Sequence, residues 1–359
     1  MIEPKKNLKD LTRTPITPEN RIGKLHRLDR NERTTTFPKE HLQNILNSIT
    51  ADEMVAYPEV EPFYHKLANW LNIKRNELLV ASGSDTSIKM VYEVYVEEGD
   101  EVVVISPAYG MYLVYCKMYG AVPREVFYDP DLSLPIERVI AAISPKTKLV
   151  AIPNPNHTGT VISQADLLKV IQAASRVNAL VIVDEAYYHF YPQTMIGYVN
   201  QCDNLIVIRT FSKGFGIAPL RIGYTISNQE IIKQLYKVKQ THDITFFSAK
   251  VGSYLLDHLQ IMTDYVKEVN QAKEVLYKRF PLMGFEVLRS EANFVYFKCP
   301  ASVDGKKLLA DLEKMKIMLK GPFNQVPFTG HLRVTVGSVE QMNMVCDEIK
   351  NLAVSLERV

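Results

Sequence analysis

Apolar residues fall in short, β-branched runs through the middle of the chain, at 78–81, 101–105, 122–127, 148–152, 180–183, 205–208 and 222–226. Several runs are continuous rather than alternating, the pattern of strands covered on both faces. The segments between them carry the other period. Ile88, Val91, Tyr92 and Tyr95 recur at i, i+3, i+4 and i+7 before Gly99, and Leu167, Val170, Ile171 and Ala174 keep the same spacing. Such stripes predict amphipathic helices. Strands interleaved with helices predict an α/β domain with a mostly parallel, doubly wound sheet.

Beyond about residue 228 the pattern changes. A long helical stretch to about 279, with one break near 246–248, precedes strand (286–297), helix (306–315) and strand (332–336). This order predicts a smaller α+β domain. The expected division is an arm over 1–45 packing on the small domain, a large domain over 46–260 and the small domain over 261–359.

Composition narrows the class. A chain of 359 residues suits two domains, and 47% hydrophobic with 23% charged residues excludes a disordered one. Lys and Arg number 42 against 40 Asp and Glu, so no field exists to hold a nucleic-acid backbone or an anionic membrane. The longest apolar runs reach five or six residues, against the ~20 a spanning helix needs. The polar start, with Lys5, Lys6 and Lys9, leads into no apolar h-region, so no signal peptide is expected. Cys116, Cys202, Cys299 and Cys346 lack metal-ligand spacing and are too sparse for a disulfide framework; they read as reduced thiols of a cytoplasmic protein.

In open α/β sheets ligands sit beyond the carboxyl ends of the strands. The residues following each run are therefore informative. After 78–81 comes Ser82-Gly83-Ser84-Asp85, a helix start whose free N–H groups and dipole suit a phosphate and equally suit a plain N-cap. After 101–105 comes Ser106-Pro107-Ala108-Tyr109, an aromatic at a strand mouth. After 148–152 comes Asn154-Pro155-Asn156-His157-Thr158-Gly159, mostly turn chemistry. After 180–183 comes Asp184-Glu185-Ala186-Tyr187, an acid where a solvated charge does not belong. After 205–208 comes Arg209-Thr210-Phe211-Ser212-Lys213, with Arg221 eight residues past the lysine. A lysine flanked by Ser and Gly at a buried strand's end is a candidate nucleophile.

In this order the stretches resemble the fold-type-I pyridoxal-5′-phosphate (PLP) aminotransferases of class I/II, most closely the histidinol-phosphate aminotransferase branch. The resemblance runs from about Arg30 to Gly337 and is carried by 181–187, 209–213 and 332–337. It implies a large domain with a mostly parallel seven-stranded sheet between helices, plus the smaller α+β domain. It also implies the cofactor PLP, held covalently by Lys213, which then shuttles a proton. Asp184 would keep the ring nitrogen protonated, Asn156 and Tyr187 would hydrogen-bond the ring's 3′ oxygen, and Tyr109 would stack on its face. The phosphate would lie against Ser84, Asp85, Thr210, Ser212 and Arg221. Tyr57 would reach the partner subunit's cofactor phosphate, implying a homodimer with shared active sites. Arg333 would grip the substrate's anionic end, with Lys320 as a second cation and Asn31 facing the substrate.

Departures from the family pattern fall on the substrate-facing loops. The usual Asn-Glu-Asn-Pro is Asn31-Glu32-Arg33 here, preceded by Arg30; Asn-Pro-Thr-Gly, whose proline peptide is typically cis, is Asn156-His157-Thr158-Gly159; and a second arginine for the substrate's phosphate is replaced by Lys320. A non-proline cis bond costs ~3–4 kcal/mol, so the His157 peptide is trans or strained. The expected activity is amino transfer between glutamate/2-oxoglutarate and a small phosphorylated amino alcohol or ketone, histidinol phosphate or a serinol- or dihydroxyacetone-phosphate-like compound. The alternative is decarboxylation of a phosphorylated amino acid such as phosphoserine or phosphothreonine. A PLP-binding regulator is disfavoured, because about 27 residues precede Leu28 and leave no room for a helix-turn-helix module.

Overall fold

A computed structural model describes residues 2–13 and 26–356, with side chains to residue 353. Seven strands form the main sheet, in the order Leu78–Ser82, Ile222–Ser227, Leu205–Thr210, Leu180–Asp184, Thr147–Pro153, Glu101–Ser106, Val122–Phe127. Ile222–Ser227 runs antiparallel to both neighbours and the others are mutually parallel. The continuous apolar runs are explained by cover on both faces. Val80, Val103, Val150 and Val181 enter one core; Leu79, Val102, Leu149 and Ile182 enter another on the opposite face. Each is fully buried, worth roughly 1.5–3 kcal/mol per large aliphatic side chain.

The helices lie where the 3.6-residue stripes predict them. Ser84–Tyr95 follows the first strand directly, and Gln164–Ser175 starts at Ser163, whose side chain accepts from the Asp166 amide. The stretch after 228 differs from expectation. It forms three helices, Gln229–Leu235, Phe246–Asp257 and Gln260–Leu282. The break spans 236–245, ahead of Thr245, whose Oγ1 caps the next helix by accepting from the Ser248 amide. The predicted strand 286–297 is likewise two antiparallel strands, Glu286–Val287 and Phe294–Lys298. Polar Arg289, Ser290 and Glu291 form the turn between them, with the Glu291 amide bonded to the Gly159 carbonyl across the cleft.

These strands and His331–Thr335 make a three-stranded sheet covered by Gln260–Leu282, Gly305–Lys314 and Val339–Leu356. Their core holds Leu276, Phe280, Phe297, Leu312 and Val334, and it also takes in Leu28 and Tyr187. The N-terminal arm does not pack on this unit alone. His26–Arg27 pairs with Ile317–Met318, and Leu28 is buried beside it. Residues 2–13 instead lie against Met111–Tyr119 of the large unit, where Lys117 Nζ donates to the Asp10 carbonyl at 2.6 Å. Helix Lys39–Asn47 buries Ile45 in the large core. The arm is divided because the two apolar residues it buries among those described, Leu28 and Ile45, find separate cores. Residues 14–25 of the predicted arm lie outside the described residues.

Candidate active site

The carboxyl ends of the parallel strands converge with the small sheet on a cleft of about 280 Å³. It is lined by Arg30, Asn31, Glu32, Ser84, Asp85, Tyr109, His157, Asp184, Tyr187, Thr210, Ser212, Lys213, Arg221 and Arg333, among others. Eleven of the fourteen residues singled out from sequence are therefore brought together. Asn156, Lys320 and Tyr57 are not among the lining residues.

Close backbone approach shapes the floor. Gly83 has φ +86°, and a Cβ there would meet the Arg221 guanidinium; a Cβ at Gly223 would meet the Ser84 amide nitrogen at 2.1 Å. Both positions therefore require glycine. The amides of Ser84 and Asp85 begin the helix, at its positive dipole end. Arg221 donates to Ser212 Oγ at 3.3 Å, and Thr210 Oγ1 lies 3.0 Å from Ser212 Oγ. Two hydroxyls, a guanidinium and a helix start thus share one corner.

Asp184 is 6% exposed, and among the described residues no cation lies within ion-pair distance of it. Tyr112 donates to its Oδ2 at 2.9 Å and the Ala186 amide to its Oδ1 at 3.1 Å. Burial raises its pKa to about 6 against those two hydrogen bonds. Its neighbour Glu185 is satisfied differently, paired with Arg209 at 2.8 Å.

Lys213 Nζ donates to the Asn31 carbonyl at 2.8 Å. Burial, then the nearby Arg333 charge, lowers its pKa to about 8. Asn31 sits in the left-handed region (φ 55°), donates to the Tyr187 hydroxyl at 3.0 Å, and is tied to Thr335 of the small sheet. Tyr187 is pushed up to about 12 by burial. Arg333 donates to the Asp29 carbonyl at 3.1 Å, faces the rings of Phe294, Tyr296 and Phe323, and leaves its buried Nε without a partner.

Asn156 is fully buried, and its amide makes two hydrogen bonds within the protein, which leave one N–H without a partner among the described residues. Nδ2 donates to the Tyr128 hydroxyl at 3.1 Å, and Oδ1 accepts from the His157 amide at 2.5 Å. His157 lines the cleft instead, and its preceding peptide is trans; the cis bond in that loop is Asn154-Pro155. Lys320 is exposed and meets Arg333 only through its backbone. Tyr57 is 79% exposed and stacks on His242 at 4.4 Å. Tyr112 was missed by sequence reasoning; it lies in the first turn of the helix Met111–Tyr119, and its ring meets that of Tyr109 edge-on at 6.4 Å.

An α/β layer closed by a small α+β unit, with a lysine and a buried carboxylate at the strand ends, fits an aminotransferase. The chain belongs to the family described as aminotransferase class I and II, whose model matches residues 29–349. It is 32% identical to the histidinol-phosphate aminotransferase of Caldanaerobacter subterraneus subsp. tengcongensis over 91% of this chain and 93% of that protein. It is also 32% identical to histidinol-phosphate aminotransferase 1 of Pasteurella multocida, over 83% and 86%. Among solved structures, the histidinol-phosphate aminotransferase of Sinorhizobium meliloti in complex with pyridoxal-5′-phosphate superposes with a TM-score of 0.83 at 21% identity, covering 92% of this chain and 90% of that one. At that identity the likeness speaks to the fold. Among the described residues, no helix is long and apolar enough to cross a membrane.

Proposed function

We propose that the protein transfers an amino group between glutamate/2-oxoglutarate and a small phosphorylated amino alcohol or ketone, with PLP as cofactor. Histidinol phosphate, or a shorter compound of the serinol- or dihydroxyacetone-phosphate type, is the second substrate. One observation carries this reading: Lys213, Asp184 with its uncompensated carboxylate, and Arg333 all line one cleft.

The residues present fit the cofactor. A buried carboxylate without a cation is costly, and a protonated ring nitrogen removes that cost. Arg221, the hydroxyls of Thr210 and Ser212, and the amides of Ser84 and Asp85 suit a phosphate. Tyr109 offers a ring face and Tyr187 a hydroxyl. When bound, PLP supplies an electron-poor ring that takes up the electron pair left at the substrate's Cα.

The chain's own groups do the rest. Asp184 holds the proton on the ring nitrogen. Lys213, with its pKa lowered to about 8 by burial, is neutral near pH 7.5 far more often than an ordinary lysine. That neutral amine is the nucleophile that holds the cofactor and the base that moves the proton at Cα. Arg333 orients the substrate's anionic end from the small unit. Tyr57, exposed beside Met54 and Val55, serves the partner subunit of a cytoplasmic homodimer. We divide the chain near residue 260, where Ile261 still enters the large core and Tyr265 the small one.

The test is a panel of phosphorylated amines, each with and without 2-oxoglutarate, monitored by cofactor absorbance and CO2 release. Turnover dependent on the keto acid is expected. CO2 released without it would replace amino transfer by decarboxylation, and equal turnover of unphosphorylated analogues would remove the phosphate from the substrate.

A further inference from the structure

Asn293 is fully buried and shares an acceptor with Lys213. It stands directly before the strand Phe294–Lys298 of the small sheet, where its backbone carbonyl accepts from the Val336 amide. Its Nδ2 donates to the Asn31 carbonyl at 3.1 Å, the same oxygen that takes Lys213 Nζ at 2.8 Å. Turned round, the side-chain amide would set its oxygen against that carbonyl, so the N–H end must face it. Asn31 itself is 3% exposed and tied from both units. Its amide donates to Thr335 Oγ1 at 2.9 Å, while its side chain accepts from that hydroxyl at 3.2 Å and donates to the Tyr187 hydroxyl at 3.0 Å. The carbonyl is therefore a fixed point between the large and small units. Among the described residues Lys213 and Asn293 are its two donors, one for each lone pair.

We infer that Asn293 is a positioning residue for Lys213: it holds the Asn31 carbonyl where the lysine amine rests when not bonded to the cofactor, and it keeps that carbonyl satisfied when the amine leaves. The inference rests on the PLP reading above. Condensation of the neutral amine with the cofactor's aldehyde expels one water and leaves the nitrogen doubly bonded to carbon, with at most one proton in place of an ammonium's three. Its donation to Asn31 is then given up. A buried carbonyl without a donor is costly, and with Asn293 in place one donor stays. Two donors on one oxygen also weaken each other, so Asn293 keeps the amine's hold on the carbonyl loose. The groups facing Lys213 are the cations Arg333 and Arg221, the carboxylates of Glu32 and Asp184, and the Tyr187 ring at 5.6 Å. Sole use of the Asn31 carbonyl would favour the ammonium and raise the Lys213 pKa from its value of about 8.

Two readouts other than turnover decide it. In the protein without PLP, the rate at which acetic anhydride acylates Lys213, followed by mass spectrometry across pH, reports the pKa of the amine. Asn293→Leu keeps the bulk and removes the donor; the midpoint should rise by roughly half a pH unit or more, part of the effect of one hydrogen bond from a charged donor. With PLP added, the concentration that half-fills the borohydride-fixable adduct should rise about tenfold, the effect of one buried carbonyl left without a donor. Thr335→Val cuts two other ties of Asn31 and leaves the carbonyl both donors. It should lower the melting temperature and move both readouts much less. A midpoint unmoved in Asn293→Leu, or equal shifts in Thr335→Val, overturns the assignment. Should Asn293→Leu not fold, the unmodified protein still decides. The side-chain amide proton of Asn293 should shift in NMR spectra as Lys213 titrates, with the same midpoint, and a signal that stays flat overturns the inference. A wild-type protein that takes no PLP on Lys213 would instead remove the reading beneath it.

Discussion

The Arg209–Glu185 pair sits directly behind the cleft, one residue from Thr210 on one strand and one from Asp184 on the next. The two side chains are 4% and 1% exposed. Glu185 accepts from Arg209 Nε at 2.9 Å, from Thr194 Oγ1 at 2.8 Å and from the Met195 amide at 2.6 Å, while the guanidinium lies 3.4 Å from the Tyr188 ring centroid. Arg209→Met keeps much of the volume and strands a carboxylate in the interior. Breaking a buried pair from one side costs about 3–5 kcal/mol. Burial already raises the Glu185 pKa, and Arg209 is the first influence opposing it. Without the arginine the folded-state value moves further above the unfolded one of about 4.3. Between those two values the native state holds a proton that the unfolded state has released, so stability falls as pH rises. The full deficit is expected at pH 8 and less than half of it at pH 5. Urea unfolding followed by the fluorescence of the single tryptophan, Trp70, reports on it, since Trp70 packs 5.8 Å from Phe215 near this network. Adding Glu185→Gln removes the orphaned charge and should recover at least half of the loss. A deficit of equal size at both pH values, or strict additivity in the double variant, would refute the reasoning.

Lys213→Ala should fold and still hold PLP non-covalently, yet yield no adduct fixable by borohydride on mass spectrometry; a surviving adduct would assign the covalent bond to another lysine. Arg333→Ala should lose about 2–5 kcal/mol of kcat/KM, roughly 30- to several-thousand-fold, in both half-reactions, measured by single-turnover absorbance. Mixing Lys213→Ala with Tyr57→Phe subunits should restore wild-type-like activity in part, because one of the hybrid's two sites is intact; verified exchange without recovery would keep Tyr57 in its own chain.

The sheet was readable because strands buried on both faces must be apolar at every position, and the runs at 180–183 and 205–208 obey this without exception. Lys213 and Asp184 were readable for a related reason: a charge at the end of such a run has no solvent to justify it. Side-chain direction in turns was less accessible. Whether Asn156 or His157 faces the cleft depends on Tyr128, a residue far away in sequence. The Glu185–Arg209 pair was hidden because its members lie on different strands and each looks like an ordinary charge. Strand 286–297 was read as one piece because Val287, Leu288 and Phe294 share a hydrophobic character that masks the turn at Ser290.

The strand Leu78–Ser82, which leads into Gly83 and Ser84, has no neighbour made near it in time. Among the described residues its sole sheet partner is Ile222–Ser227, so on the ribosome Leu78–Ser82 waits until the chain has grown past residue 222. At about 5–20 residues per second that is on the order of ten seconds. During the wait an apolar segment has its ladder groups open, the state in which nascent chains misassociate. The hairpin from Leu205 to Ser227 closes quickly by comparison and brings Lys213 and Arg221 with it. Lys213 is thus in place before the helix start at Ser84, which joins the cleft only when Gly223 docks beneath it. A nonsense or frameshift product ending before residue 222 is accordingly expected to be a chaperone client and a protease substrate rather than a partly functional enzyme.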